Sequence, residues 1–303
     1  MNTDRTRHMF DRLLVPTDGS GPATAALELA TRIASTSATI HLLFVSEGTD
    51  DGDETDGDHL GVSAPTGDEI LANARGVATT AGASIVSDVR RGNPRERILE
   101  YATTHDIDLI AMGSHGRRRV GRLALGTETQ GVVRDASVPV LVVRASDDIR
   151  TVYPYQRMLV PTDGSDHADA ALDLGLEVAA ETGARLDLLS VVSVTRYGAD
   201  TETDRLIDRL EDNARAALEA MAANVAANSV DVRTAVAVGT VHREIAAYAE
   251  EEHVDLLVMG THGRSDGDRD RELPGSVTER VLRTAPTPVL TVQAAGATEP
   301  SPE

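Results

Sequence analysis

Residues 13–20 read LLVPTDGS, and residues 158–165 read MLVPTDGS. In each, an apolar run ends on proline and passes into Thr-Asp-Gly-Ser, residues suited to a turn followed by a helix cap. The pair does not stand alone. IDLIAMGSHGR (Ile107–Arg117) returns as VDLLVMGTHGR (Val254–Arg264), and VPVLVV (Val138–Val143) returns as TPVLTV (Thr287–Val292). The offsets are 145, 147 and 149 residues, so one unit occurs twice, with small loop insertions. A unit of about 140 residues lies within the usual range of a domain. The division this implies is a first domain over 1–145, a linker over 146–156 with Pro154, a second domain over 157–296, and a frayed tail over 297–303.

Within the first copy, short apolar runs alternate with helical patterns. Arg12–Val15, Ile40–Val45, Ile85–Val89, Ile107–Met112 and Val140–Val143 read as strands, near-continuous in apolar character as in a parallel sheet covered on both faces. Ala23–Ala34, Asp68–Thr80, Pro94–Thr104 and Thr127–Asp135 read as helices, with Ser20 as a cap and Pro94 in a first turn. The second copy repeats the order, with strands near Met158–Val160, Leu186–Val192, Val232–Val238, Val254–Met259 and Val289–Val292. Strands and helices in strict alternation specify an α/β fold, here two tandem, doubly wound, five-stranded parallel sheets of the Rossmann-like kind.

Composition narrows the class. Of 303 residues, 49 are acidic and 29 basic, giving a net charge of −20, and every basic residue is arginine. Such a surface repels nucleic acid and anionic membranes. It matches a protein from a salt-loving organism, where screening is strong; the Debye length falls to about 3 Å at 1 M salt. There is no cysteine, so disulfides and thiolate metal sites are excluded. No apolar run approaches the roughly 20 residues of a membrane helix. Met1–His8 is polar and has no signal-peptide core, so a cytoplasmic protein is expected. The acidic stretch Glu47–Asp58 lacks the spacing of an EF-hand loop and reads as a solvated loop.

In doubly wound sheets, ligands bind beyond the carboxyl ends of the strands, where the strand order reverses. Three features of copy one converge there. Pro16-Thr17-Asp18-Gly19 follows the first strand, and the Asp18 carboxylate can accept hydrogen bonds from ribose hydroxyls or adenine. Gly113-Ser114-His115-Gly116 follows the fourth, and its glycines permit a sharp turn close to a ligand. Gly126-Thr127 opens the last helix, whose free N–H groups and partial positive charge suit phosphate.

Gly113, Gly116, the nine residues Arg117–Leu125 and Gly126-Thr127 spell G-x2-G-x9-G-S/T. With the V-P-x-D-G-S start, the M-G-S/T-x-G-R turn and the final P-V-L-V-V strand, this arrangement resembles the universal stress protein family along nearly the whole chain. The glycine pattern is that family's ATP-binding signature. The resemblance implies that Pro16, Thr17 and Asp18 contact adenine and ribose and that Val45 packs near adenine. It implies that Met112, Gly113, Gly116, Gly126, Thr127 and Glu128 line the ribose and phosphate end, with Mg²⁺ or Mn²⁺ accompanying ATP. It also implies a stress-related regulatory or protective role.

The second copy offers a corresponding set: Pro161, Thr162, Asp163, Val191, Met259, Gly260, Gly263, Gly275, Ser276 and Val277. It departs from the pattern. Arg264–Pro274 is eleven residues long and carries Asp266, Asp268, Asp270 and Glu272, which repel a triphosphate, partly offset by Arg264, Arg269 and Arg271. In copy one, Arg117, Arg118, Arg119 and Arg122 can clamp phosphates or face solvent. His115 and His262 share a turn; no carboxylate or nucleophile at matching spacing points to acid–base chemistry. No Walker A, G-x-S-x-G or H-E-x-x-H signature is present, so no catalytic residue is assigned. Two other classes stay open: a slow ATPase or nucleotidyl-transfer enzyme, separable by product formation from ATP, and a nucleotide-free interaction module, separable by the ligand retained on purification.

Single-domain members of the family resemble homodimers joined through their last strands. The expected arrangement here is an intrachain pseudo-dimer through Val138–Val143 and Thr287–Val292, or a homodimer if the pairing runs between chains. The charge itself generates a test. Self-repulsion of this acidic surface should destabilise the fold once screening is removed. The melting temperature should rise steeply from dilute buffer to several-molar KCl; a salt-independent value would contradict the halophilic reading.

Overall fold

Asp108 and Asp255 each stand at the foot of a strand and hold it to its neighbour. The Asp108 carboxylate accepts from the N–H groups of Asp11 (2.7 Å) and Arg12 (3.0 Å). The Asp255 carboxylate accepts from those of Gln156 (2.9 Å) and Arg157 (3.1 Å). One repeated residue thus aligns the same two strands in both copies. In this computed structural model the described residues are 9–46, 65–79, 82–116, 125–145, 149–193, 201–225, 230–263 and 276–294. The stretch Glu47–Asp58, the arginines Arg117, Arg118, Arg119 and Arg122, Arg264–Pro274 with Gly275, Met1–His8, the start of the linker at 146–148 and the tail 297–303 lie outside them. The chain divides into two units, Phe10–Ala145 and one built on Ser146–Glu303, to which Met9 is tied by its N–H on Glu181 Oε2.

Copy one runs β1 (Arg12–Pro16), α1 (Gly21–Ile33), β2 (Thr39–Ser46), α2 (Gly67–Ala78), β3 (Ser84–Arg91), α3 (Pro94–Thr104), β4 (Leu109–Gly113), α4 (Thr127–Asp135) and β5 (Val140–Val143). All pairings are parallel, in the order β3-β2-β1-β4-β5. The order reverses at β1, which lies between β2 and β4. Copy two runs β6 (Arg157–Pro161), α5 (Asp166–Thr182), β7 (Arg185–Ser193), α6 (Thr201–Val225), β8 (Val232–Gly239), α7 (Val241–Glu251), β9 (Leu256–Gly260), α8 (Ser276–Thr284) and β10 (Val289–Val292). Its order is β8-β7-β6-β9-β10, again parallel. Each sheet is the doubly wound, five-stranded arrangement that the alternation of patterns specifies.

The central strands are apolar because both faces are covered. Leu13, Leu14, Val15, Ile40, Leu42, Leu109 and Ile110 are fully buried. β3 is different: it pairs with β2 alone among the described residues, and Val86 and Val89 are exposed. Its sequence, SIVSDVRR, mixes polar and apolar residues accordingly. Helix starts follow the caps. Ser20 Oγ accepts from Ala23 N–H, Thr66 and Glu69 form a capping box, and Asn93 caps α3 with proline following.

The fourth strand of each copy begins two residues later than its apolar pattern predicts. Ile107 N–H bonds to Ala102 O, and Asp106 takes a positive φ of 48°. Val254 N–H likewise bonds to Ala249 O, after His253 at φ 55°. These are Schellman closures of α3 and α7, and the apolar residue is the one that packs back on the helix end. Its hydrophobicity therefore serves the helix and not the strand.

Beneath the sheet, the copies solve one burial problem in two ways. In copy one, His41 Nδ1 is 3.1 Å from Tyr101 Oη, and Tyr101 stacks on His105 at 3.8 Å between ring centroids. In copy two the register puts Asp187 in the place of His41, and its fully buried carboxylate takes both Arg185 nitrogens at 2.8 Å and Tyr248 Oη at 3.3 Å. Burial raises the Tyr248 phenol to about 12, with Asp187 adding to the effect.

Burial, then His105 and Arg12, hold His41 below its ordinary value of 6.5. The fold thus takes the neutral imidazole, while the unfolded chain protonates near the ordinary value. This contribution is complete above the unfolded value and is lost as pH falls through the lower, folded one. The drop in melting temperature from about pH 7.5 to about pH 5 should be smaller in a His41→Gln protein than in the wild type; equal drops would show that His41 carries no such linkage.

Candidate nucleotide site of copy one

Where β1 ends, local hydrogen bonds hold the turn. Thr17 N–H reaches Leu43 O at 2.9 Å. Thr17 Oγ1 accepts from Gly19 N–H at 3.2 Å, and Asp18 Oδ1 accepts from Ser20 N–H at 2.9 Å. Gly19 takes a φ of 74°, which closes the turn. The local bonds fix Asp18 in place while Ser20 starts α1.

At the end of β4 the backbone is pressed against α1. A Cβ on Gly113 would lie 2.6 Å from Pro22 C and 2.7 Å from Ala23 N, atoms that cannot move aside. A Cβ on Gly116 would lie 2.6 Å from Asp18 Oδ2, so the two loops meet. Ser114 N–H bonds to Val143 O and Gly126 N–H to Ser114 O, while Thr129 Oγ1 donates to Gly113 O at 2.9 Å. The β4 turn and the start of α4 are one hydrogen-bonded piece. His115 Nδ1 is 3.0 Å from Ser114 Oγ.

These elements enclose a cavity of about 550 Å³. Its lining includes all ten residues assigned from the sequence: Pro16, Thr17, Asp18, Val45, Met112, Gly113, Gly116, Gly126, Thr127 and Glu128. It also takes in Phe44, Ile70, Pro94, Ile98 and His115, which sequence reasoning did not assign. Phe44, Ile70 and Ile98 carry no signal of their own, because an apolar residue on a strand or helix reads as core. A trace of Phe44 exists at Gly67, where a Cβ would stand 2.6 Å from the Phe44 ring; only glycine lets α2 begin so close.

The lining combines two kinds of chemistry. Phe44, Val45, Met112, Ile70 and Ile98 supply apolar side chains. The start of α4 also belongs to it. There Gly126 is the N-cap and, being glycine, brings no side chain to the α4 donors, unlike Ser20, Thr66 and Asn93 at the starts of α1, α2 and α3. N–H groups at a helix start, bordering a cavity, suit an anion.

Copy two reproduces the frame. Thr162 N–H reaches Leu189 O, Asp163 Oδ1 accepts from Ser165 N–H, a Cβ on Gly263 would lie 2.8 Å from Asp163 Oδ2, and Thr278 Oγ1 donates to Gly260 O at 3.0 Å. Pro161, Met259 and Val191 occupy the places of Pro16, Met112 and Val45, while Ser276 and Val277 open α8. Gly275 lies outside the described residues. One substitution changes the mouth: His167 replaces Pro22, packs tilted on His262 at 5.1 Å and accepts from Ala294 N–H.

Comparison with known proteins agrees with the repeat. A model of the universal stress protein family matches residues 9–144 and 154–293. A universal stress protein of Methanocaldococcus jannaschii is 32% identical over 142 residues, covering 46% of this chain and 82% of that protein. One from Mycolicibacterium smegmatis is 26% identical over 232 residues, covering 74% of each chain. Among solved structures, a universal stress protein from Archaeoglobus fulgidus superposes with a TM-score of 0.65 at 24% identity, covering 95% of this chain and 97% of that one; it shows the shared fold.

The geometry at Gly113 yields a direct test. Gly113→Ala drives a methyl into the α1 backbone and should destabilise copy one by about 1–3 kcal/mol, as overpacking does. Chemical denaturation should show it; an unchanged midpoint would mean that β4 and α1 are not in this close contact.

Proposed function

The chain belongs to the universal stress protein family, and from that premise we propose that copy one binds ATP, with Mg²⁺ or Mn²⁺ at the phosphates, and serves stress-related regulation or protection. The observation that carries the reading is the cavity. Ten residues drawn from four separate segments of the sequence line one space of about 550 Å³, within the usual size of a small-molecule site. Adenine would lie against Val45, ribose hydroxyls would meet Asp18, and the phosphates would approach Gly116, Gly126 and Thr127, with Met112 lining the ribose and phosphate end. The start of α4, with glycine as its N-cap, would supply N–H donors and the positive end of the helix dipole.

Among the described residues, no group of three or more His, Asp or Glu side chains stands together to hold a metal ion. The donor chemistry therefore fits a cation that arrives with the phosphates, since Mg²⁺ is commonly held by one or two carboxylates, phosphate oxygens and water. Copy two keeps the Asp163 turn and the Gly260–Gly263 frame, and its binding of a nucleotide is a separate question from that of copy one.

Gly126→Val tests the site. Its Cβ position already lies 3.3 Å from His115 Cα, so a branched side chain would stand between the α4 donors and the phosphates. Calorimetry in concentrated KCl should show ATP binding by the wild type and none at this site in the variant. An unchanged affinity and stoichiometry would overturn the assignment.

A further inference from the structure

Two acidic residues line the cavity, Asp18 in the turn after β1 and Glu128 at the start of α4, and the second stands where a phosphate site needs positive charge. Glu128 lies in the first turn of α4 and lines the cavity. Its Oε2 accepts from Arg95 N–H at 3.1 Å, in the first turn of α3. The Arg95 guanidinium passes over Gly131 and pairs with Asp135 at the far end of α4. Two helix starts, marked by Pro94 and by Gly126 and Thr127, thus border one cavity. The N-cap of α4 is a glycine that has no side chain to offer, whereas at the α3 start the chain supplies its own carboxylate.

The second copy shows that the fold does not require this acid. Thr129 and Thr278 make the same bond, to Gly113 O and Gly260 O, which brings Glu128 into register with Val277. A carboxylate therefore stands in copy one where copy two has an aliphatic side chain. A glutamate in a first helical turn also stabilises the helix dipole, but that duty calls for no position inside a cavity.

We infer that Glu128 makes binding of a nucleoside triphosphate in copy one conditional on a divalent cation. The inference rests on the nucleotide reading of the cavity. Held beside the α4 start, the carboxylate repels a metal-free phosphate chain, and inside a cavity this repulsion is screened less than at the surface. A Mg²⁺ arriving with the phosphates would lower the repulsion, and the Glu128 carboxylate would be a protein oxygen available to hold it. Adenosine, which brings no phosphate, is indifferent to the cation.

Calorimetry on the full chain at one fixed KCl concentration tests this, with adenosine, ATP plus a chelator, and ATP plus Mg²⁺ as ligands. In the wild type, Mg²⁺ should tighten ATP binding by about tenfold or more and leave adenosine unaffected. In Glu128→Gln, which keeps an oxygen for Arg95 N–H, and in Glu128→Val, which copies the second domain, chelated ATP should bind more tightly and the Mg²⁺ effect should shrink to about threefold or less. An equally large Mg²⁺ effect in both variants would overturn the inference and leave the nucleotide reading standing. If the wild type binds neither adenosine nor either form of ATP, both fall together.

Discussion

The pairing of β1 with β4 is the constraint on which each copy depends. The strand order reverses there, and the ladder covers only Leu13 with Leu109 and Leu14 with Ile110 in copy one. At the foot, the Asp108 carboxylate holds both N–H groups that precede the ladder. At the head, nothing but glycine is small enough to let β4 end against α1, and the Asp18 loop meets Gly116. The crevice exists because two strands joined over this short distance send their chains to opposite faces of the sheet. The Asp18 turn, Gly113 and Gly116 inherit their positions at the cavity from that junction.

Much of this was legible in the sequence. Apolar runs gave the order of strands because central strands of a parallel sheet have no polar face to blur the pattern. The turn residues marked the cavity, since Asp18, Gly113, Gly116 and Gly126 each perform a backbone task that few other residue types can. What remained hidden has a physical reason in each case. Ile107 and Val254 look like strand residues because a Schellman closure also asks for an apolar residue at its end. Phe44 and Ile98 look like core because the wall of an apolar cavity and the interior of a protein select the same side chains. The segment around Arg150 and Tyr155 reads as a linker, yet Arg150 pairs with Asp255, its N–H bonds to Pro286 O, and Tyr155 is buried within the second unit. Polar residues flanking a proline do not reveal a partner that lies about a hundred positions away.

Glu128 marks the limit of motif reading from another side. The glycine spacing is satisfied whatever residue follows Thr127, so the pattern is blind to the charge that comes next in the chain. Only the placement of that side chain, against Arg95 N–H and on the cavity wall, gives it a chemical meaning.

The two buried polar clusters carry a consequence for how the repeats can change. Thr39 and His41 of copy one stand in register with Arg185 and Asp187 of copy two. Replacing His41 by aspartate alone would bury a carboxylate with no arginine at position 39 to meet it, and an uncompensated charge of that kind costs about 3–5 kcal/mol. Introducing arginine at position 39 alone would bring a guanidinium beside His41, with no acid at position 41 to receive it. The aspartate at position 41 is thus acceptable only once an arginine stands at position 39, which is half-buried and the easier of the two to change, so the order of the steps is fixed. Epistasis between a buried position and its half-buried neighbour narrows the routes by which the halves of a repeated chain can come to resemble each other, even where their folds remain the same.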